Sequence, residues 1–100
     1  MTMTSLIYFG KSTRDKKRFV AVFDNPRRTT HFGLLGANTY IDGADKSVRS
    51  NYLKRHAVDL RGDKLKAGYL SYYVTWGKHR DVEKNLTSYL KRFNIKDKRA

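Results

Sequence analysis

One hundred residues carrying 22 Lys plus Arg against 9 Asp plus Glu have a net charge of +13, which speaks to partners rather than fold and points to nucleic acid, an acidic protein surface or an anionic membrane. The length argues a single domain over residues 1–100 with a modest core. The lack of cysteine excludes disulfides, thiolate zinc sites and cysteine catalysis, and no apolar run approaches the ~20 residues of a membrane span.

Leu6-Ile7-Tyr8-Phe9 is a short apolar run closed by Gly10, and reads as a strand near 5–9. The polar stretch 11–17 is a loop or hairpin tip. Arg18-Phe19-Val20-Ala21-Val22-Phe23 is β-branched, aromatic and apolar on both faces, so a central strand is expected near 17–23. Asp24-Asn25-Pro26-Arg27 has turn composition, and a third strand near 28–33 returns antiparallel. Residues 34–43, punctuated by Gly36 and Gly43, read as an irregular loop with one extended piece at 39–41.

Three helices follow. Asp45 or Ser47 caps the first, near 46–57, with Val48, Tyr52 and His56 on one stripe and Leu53 widening it. Asp63 caps the second, near 64–76, where Leu65, Tyr69, Tyr72 and Trp76 share a stripe and Ala67, Leu70 and Val74 lie opposite. Such a segment is apolar nearly all round and belongs in the middle. Gly77 is the natural stop. Asp81 caps the third helix, near 81–93, with Val82, Leu86, Tyr89, Leu90 and Phe93 inward and Lys84, Asn85, Ser88, Lys91 and Arg92 on the surface. The short connection 77–80 predicts a packed helical hairpin, and the tail 95–100 is expected to fray. Strands first and helices after give an α+β fold: a small antiparallel sheet of about three strands with helices on one face.

Candidate chemistry is sparse. Gly10-Lys11-Ser12-Thr13 looks like the end of a phosphate loop, but Ser5 stands where the pattern needs glycine and a strand follows where it needs a helix. His31, His56 and His79 lie on three different elements without ligand spacing, so no metal is expected. The carboxylates sit where turns and helix starts want them. No catalytic residues and no cofactor are expected, and the chain reads as not an enzyme. The aromatics fall mostly on apolar stripes, so core packing accounts for them better than base stacking.

That leaves the cations. Lys17, Arg18, Arg27, Arg28, Arg49, Lys54, Arg55, Arg61, Lys64 and Lys66 are the candidate contacts to an anionic partner. With no Asn, Gln and Arg set for base edges, little sequence specificity is expected.

Four motifs recur in a recognisable order: Thr30-His31-Phe32-Gly33; Asp45 to His56, ending Tyr52-Leu53-Lys54-Arg55-His56; Ala67-Gly68-Tyr69-Leu70-Ser71, ending at Trp76; and Tyr89-Leu90-Lys91-Arg92-Phe93. Over residues 17–94 this succession resembles a family of small basic proteins of uncharacterised function encoded by large double-stranded DNA viruses. The chain departs from that pattern where a tryptophan near Leu60, a threonine at Lys66 and a proline soon after Trp76 are expected. The resemblance implies a viral protein, found in the virion and in the host cell interior during infection. The expected role is structural, presenting a basic surface to an acidic viral protein or to double-stranded DNA. The alternative is a sequence-nonspecific nucleic-acid-binding protein acting on viral DNA, and a small metal-dependent enzyme ranks behind both. No membrane partner and no small-molecule substrate are expected.

Overall fold

Alternation in the second strand decides which side of the sheet is covered. The computed structural model describes residues 3–99. In it β2 (Lys17–Asp24) lies between β1 (Ser5–Lys11) and β3 (Arg28–Leu34), antiparallel to both. Phe19 pairs with Phe32, Ala21 with Phe9 and Thr30, and Phe23 with Leu6. These residues share one face, because side chains alternate along a strand. The register shifts between Leu6 and Tyr8, a bulge that brings both Leu6 and Phe9 to the covered face. Phe9, Phe19 and Phe32 cluster with centroids 5.4–6.1 Å apart.

The sheet has a fourth strand that the sequence did not announce. Residues read as a fraying tail form β4 (Lys96–Asp97), parallel to β1, giving the order β3-β2-β1-β4. Ile95 anchors it: the side chain is buried and its amide donates to Leu90 O at 2.9 Å. Lys96 N then donates to Thr4 O at 2.9 Å and Lys98 N to Leu6 O at 2.8 Å. The α+β expectation holds, with a mixed sheet in place of a purely antiparallel one. Ala100 lies outside the described residues.

Helix α1 (Lys46–His56) starts at Asp45 as expected, although neither Asp45 nor Ser47 makes a side-chain cap, and it buries none of its residues. The expected extended piece at 39–41 is a 3-10 turn, Tyr40–Asp42. Asp42 closes it by accepting from Thr39 N at 3.0 Å and Thr39 Oγ1 at 2.7 Å.

The central helix begins later than its sequence suggests. Asp63 caps a tight turn over 63–66 instead, accepting Leu65 N at 2.8 Å. The carbonyls of Lys64 and Leu65 accept from Tyr89 OH and Thr30 Oγ1, both at 2.7 Å, which ties the turn to β3 and to the third helix. Only then comes α2 (Ala67–Leu70), which widens into a π-turn, Ser71–Thr75. Trp76 N reaches back five residues to Ser71 O at 3.0 Å, and Thr75 Oγ1 takes the same carbonyl at 2.8 Å. A hydroxyl that back-bonds in this way loosens the regular helix.

The widened turn breaks the expected stripe. Leu65, Leu70 and Val74 enter the main core with Leu6, Ala21, Phe23, Phe32, Ile95 and the inner face of α3 (Val82–Arg92). Trp76 instead joins a smaller cluster with Tyr40 and Ala44, against which Tyr52 and Leu53 of α1 pack. Asp81 caps α3 as read, accepting from Glu83 N at 2.9 Å and Lys84 N at 3.3 Å.

Candidate anion-binding groove

Two corrections between α2 and α3 shape the surface that matters most. Asn85, expected on the outside, is 1% exposed. Its Nδ2 donates to Val74 O at 2.8 Å and His79 O at 2.7 Å, and its Oδ1 accepts His79 N at 2.8 Å. The carboxamide thus satisfies a connection that would otherwise leave backbone groups buried and unpaired. Gly77 is not held in the left-handed conformation expected of a helix stop. A glycine is needed there because a Cβ would collide with Tyr73 O and the Asn85 side chain.

The fixed connection forms one wall of a groove of about 880 Å³. Arg49 reaches into it from α1, Tyr72 and Tyr73 from the π-turn, Lys78 from the connection, and Lys91 and Arg92 from α3. Ser88 adds a hydroxyl, while Asn85 and Tyr89 also line it. Tyr89 directs its hydroxyl away to Lys64 O, and burial pushes that phenol well above its usual pKa.

Four cations therefore surround a concavity that no carboxylate of the described residues lines. Among the described residues none of the four is in an ion pair. Arg49 is held by Nε, which donates to Trp76 O at 3.1 Å and Gly77 O at 3.2 Å. Its two Nη groups donate to no protein acceptor among the described residues. Arg92 sits with Cζ 5.1 Å from the Tyr73 ring centroid, a cation–π contact that orders the guanidinium.

Of the ten cations singled out from sequence, only Arg49 lines this groove. Arg18 is bound bidentately by Asp42, Nη1 to Oδ2 at 2.5 Å and Nη2 to Oδ1 at 2.6 Å. The Arg18 hydrogen bond holds the Asp42 carboxyl well below the usual carboxylate range, and Asp42 raises the Arg18 pKa in turn. Arg28 pairs with Asp63, and Arg27 with Asp24 at 3.4 Å. Lys64 Nζ donates to Phe93 O at 3.0 Å, and Lys66 lies 5.9 Å from the Tyr69 ring centroid. Lys17, Lys54, Arg55 and Arg61 are exposed and lie outside the groove.

Sequence reasoning missed Lys78, Lys91, Arg92 and the tyrosine pair as a set. Ser88, Lys91 and Arg92 sit at i, i+3, i+4, one outward face of α3, a signal that was readable. The approach of Tyr72 and Tyr73 to that face depends on the π-turn and was not.

The histidines stay apart. His31 Nδ1 is 2.7 Å from Ser12 Oγ, and His56 Nδ1 donates to Asp59 Oδ2 at 2.8 Å. Asp42, Asp59 and Asp63 each face a different basic partner. The stretch 10–13 ends β1 and enters a hairpin, with no helix after it.

Fold and surface together define a small α+β protein with a cationic, tyrosine-lined groove between α1, the π-turn and α3. The chain belongs to the Family of unknown function (DUF5754), whose model matches residues 4–56, from the first strand to the end of α1. It is similar to Uncharacterized protein L851 of Acanthamoeba polyphaga mimivirus, 34% identical over 79 residues that cover 66% of this chain and 76% of that protein. No solved structure matches. These likenesses point to a viral family of unknown function, in keeping with the context the motifs implied.

Proposed function

We propose that this chain is a non-enzymatic, virion-associated protein that presents a basic surface to the viral nucleic acid without reading its sequence. The observation that carries the proposal is the convergence of Arg49, Lys78, Lys91 and Arg92 around a groove lined by no acid among the described residues, while Arg18, Arg27 and Arg28 are engaged by carboxylates elsewhere. Cations held near one another without counter-charges attract phosphates and release their counterions.

The test is a titration of purified protein with nucleic acid of unrelated sequences at two salt concentrations, with an acidic protein as control. Binding in the micromolar range or tighter is expected at low salt, about equal between sequences. Four phosphate contacts at about 0.7 to 0.9 log units each should cost about 3 log units of affinity per tenfold rise in salt. Lys78→Glu with Lys91→Glu should abolish most of it, and Lys54→Glu should change it little. Flat titrations at low salt end the proposal.

A second reading, docking on an acidic protein of the particle, is favoured by a different surface. Leu34 and Leu35 are both 64% exposed. Leu35 N bonds Lys16 O at 2.9 Å, which sets the leucines beside the basic hairpin of Lys11, Arg14, Lys16 and Lys17. An apolar pair rimmed by cations suits a protein partner. Leu35→Ser should weaken binding to an acidic capsid protein and leave nucleic-acid binding untouched; equal losses for both partners would count against separate surfaces.

A further inference from the structure

We infer that the groove takes an unpaired nucleotide, its base stacked on Tyr72 and its flanking phosphates met by Arg49, Lys78 and Lys91. This rests on the nucleic-acid reading above and narrows it from nucleic acid in general to single strands.

Shape is the first argument. At about 880 Å³ the concavity lies within the ~300–1,000 Å³ range of small-ligand sites. It accommodates a base and its sugar-phosphate, whereas a duplex is a convex cylinder with its bases inside and would touch only the rim.

Tyr72 is the second. Core packing explains the neighbouring tyrosines: Tyr73 lies edge-on to Phe93 at 5.4 Å with Arg92 near its face, Tyr69 lies edge-on to Phe93 at 5.6 Å, and Tyr89 is 5.2 Å from Phe93. Among the described residues Tyr72 makes no ring contact with Phe93, Tyr69 or Tyr89. Its ring contact among the described residues is with Tyr73, at 5.0 Å and 61°, and the side chain is partly exposed in the groove wall. It stands there because of the π-turn, a distortion that often marks a functional position. A positively charged groove with an available aromatic face is the common arrangement for holding unpaired strands.

The third argument concerns selectivity. The amide in the groove, Asn85, has its donors and its acceptor engaged by Val74 O, His79 O and His79 N. It cannot read a base edge. Stacking on Tyr72 is then indifferent to base identity, since every base has a flat face.

Fluorescence anisotropy with a labelled oligothymidylate of about a dozen nucleotides, a duplex of equal length and inorganic polyphosphate tests the inference. The single strand should bind at least about tenfold tighter than the other two. Tyr72→Ala should weaken the single strand about tenfold, the scale of one base–aromatic stack, leave duplex and polyphosphate unchanged, and be rescued by Tyr72→Phe. Ultraviolet cross-linking of the unmodified protein to the same oligonucleotide should map to the peptide containing Tyr72, a result that does not depend on any variant folding. Equal binding of strand and duplex, or a cross-link confined to other residues, overturns the inference and leaves the nucleic-acid reading standing. Failure of all three probes to bind at low salt overturns both.

Discussion

Gly77 and Asn85 compete for one space: a Cβ on Gly77 would lie 2.5 Å from Asn85 Cγ. Gly77→Ala must therefore shift the connection away from both Asn85 and the Tyr73 carbonyl, at a cost of about 1–3 kcal/mol. Asn85→Ala strands the carbonyl and the amide of His79, at about 1–3 kcal/mol for each group left unpaired, and leaves Val74 O with the long 3.4 Å bond from Gly77 N. Urea denaturation measures both. The double variant should lose somewhat less than the two single losses together, because removing the carboxamide relieves its share of the collision while the one with Tyr73 O remains. Strict additivity would show that the two positions do not share that space.

Tyr52 is sandwiched between His56 at 4.1 Å and Trp76 at 4.4 Å. Because α1 buries no residue of its own, it is docked by this stack, Leu53, the Arg49 hydrogen bonds and the Arg49 guanidinium 5.4 Å from the Tyr40 ring centroid. Tyr52→Ala should release α1 without dissolving the main core. Hydrogen exchange over 46–56 should speed up by at least about tenfold while the amides of β2 keep their protection. Uniform acceleration across the chain would show that the second cluster is part of one cooperative unit with the first.

The Arg18–Asp42 pair sets a pH limit. The Asp42 pKa is depressed in the folded protein, chiefly by the Arg18 hydrogen bond, and the Asp97 pKa is depressed chiefly by Arg99. A depressed carboxylate stabilises the fold at pH values above its unfolded pKa of about 3.9. That contribution fades as pH falls below this value and is lost once pH passes the folded pKa. Asp42→Asn should lower stability at pH 7 by about 1 kcal/mol and flatten the acid limb of a thermal-melting profile. An unaltered acid limb would mean that the pair does not persist in solution.

Ile95 and β4 close the sheet beside β1. Ile95→Ala should cost about 2–4 kcal/mol, read as a shift in urea midpoint. A chain ending at Asn94 would also bare the β1 edge, and an uncovered edge strand is a template for pairing with other chains. Its expected signature is concentration-dependent aggregation in light scattering. A monomeric, equally stable truncation would show that β4 is dispensable.

The elements legible in the sequence were those whose information is local. β2 has a β-branched, two-faced pattern, and α3 has a clear stripe with Asp81 in front; both appear within a residue of their expected bounds. Three features were hidden because long-range partners decide them. Ile95 gains its meaning from Leu90 and β1. The turn that precedes α2 is held by Tyr89 and Thr30, distant in sequence. The π-turn is written only in Thr75 and Ser71, a pair too ordinary to notice. The groove inherits that last difficulty: its α3 cations lie on a readable face, but their meeting with Tyr72 requires the extra residue per turn. Arg18 and Arg28 illustrate the converse, since their carboxylate partners lie 24 and 35 residues away.

The pairing of β4 with β1 carries a consequence for biosynthesis. β1 waits for a neighbour made much later in the chain, so the sheet of a nascent protein stays open until residues 95–97 have been translated and have cleared the exit tunnel. Until then the phenylalanine face depends on helices that are themselves still being synthesised.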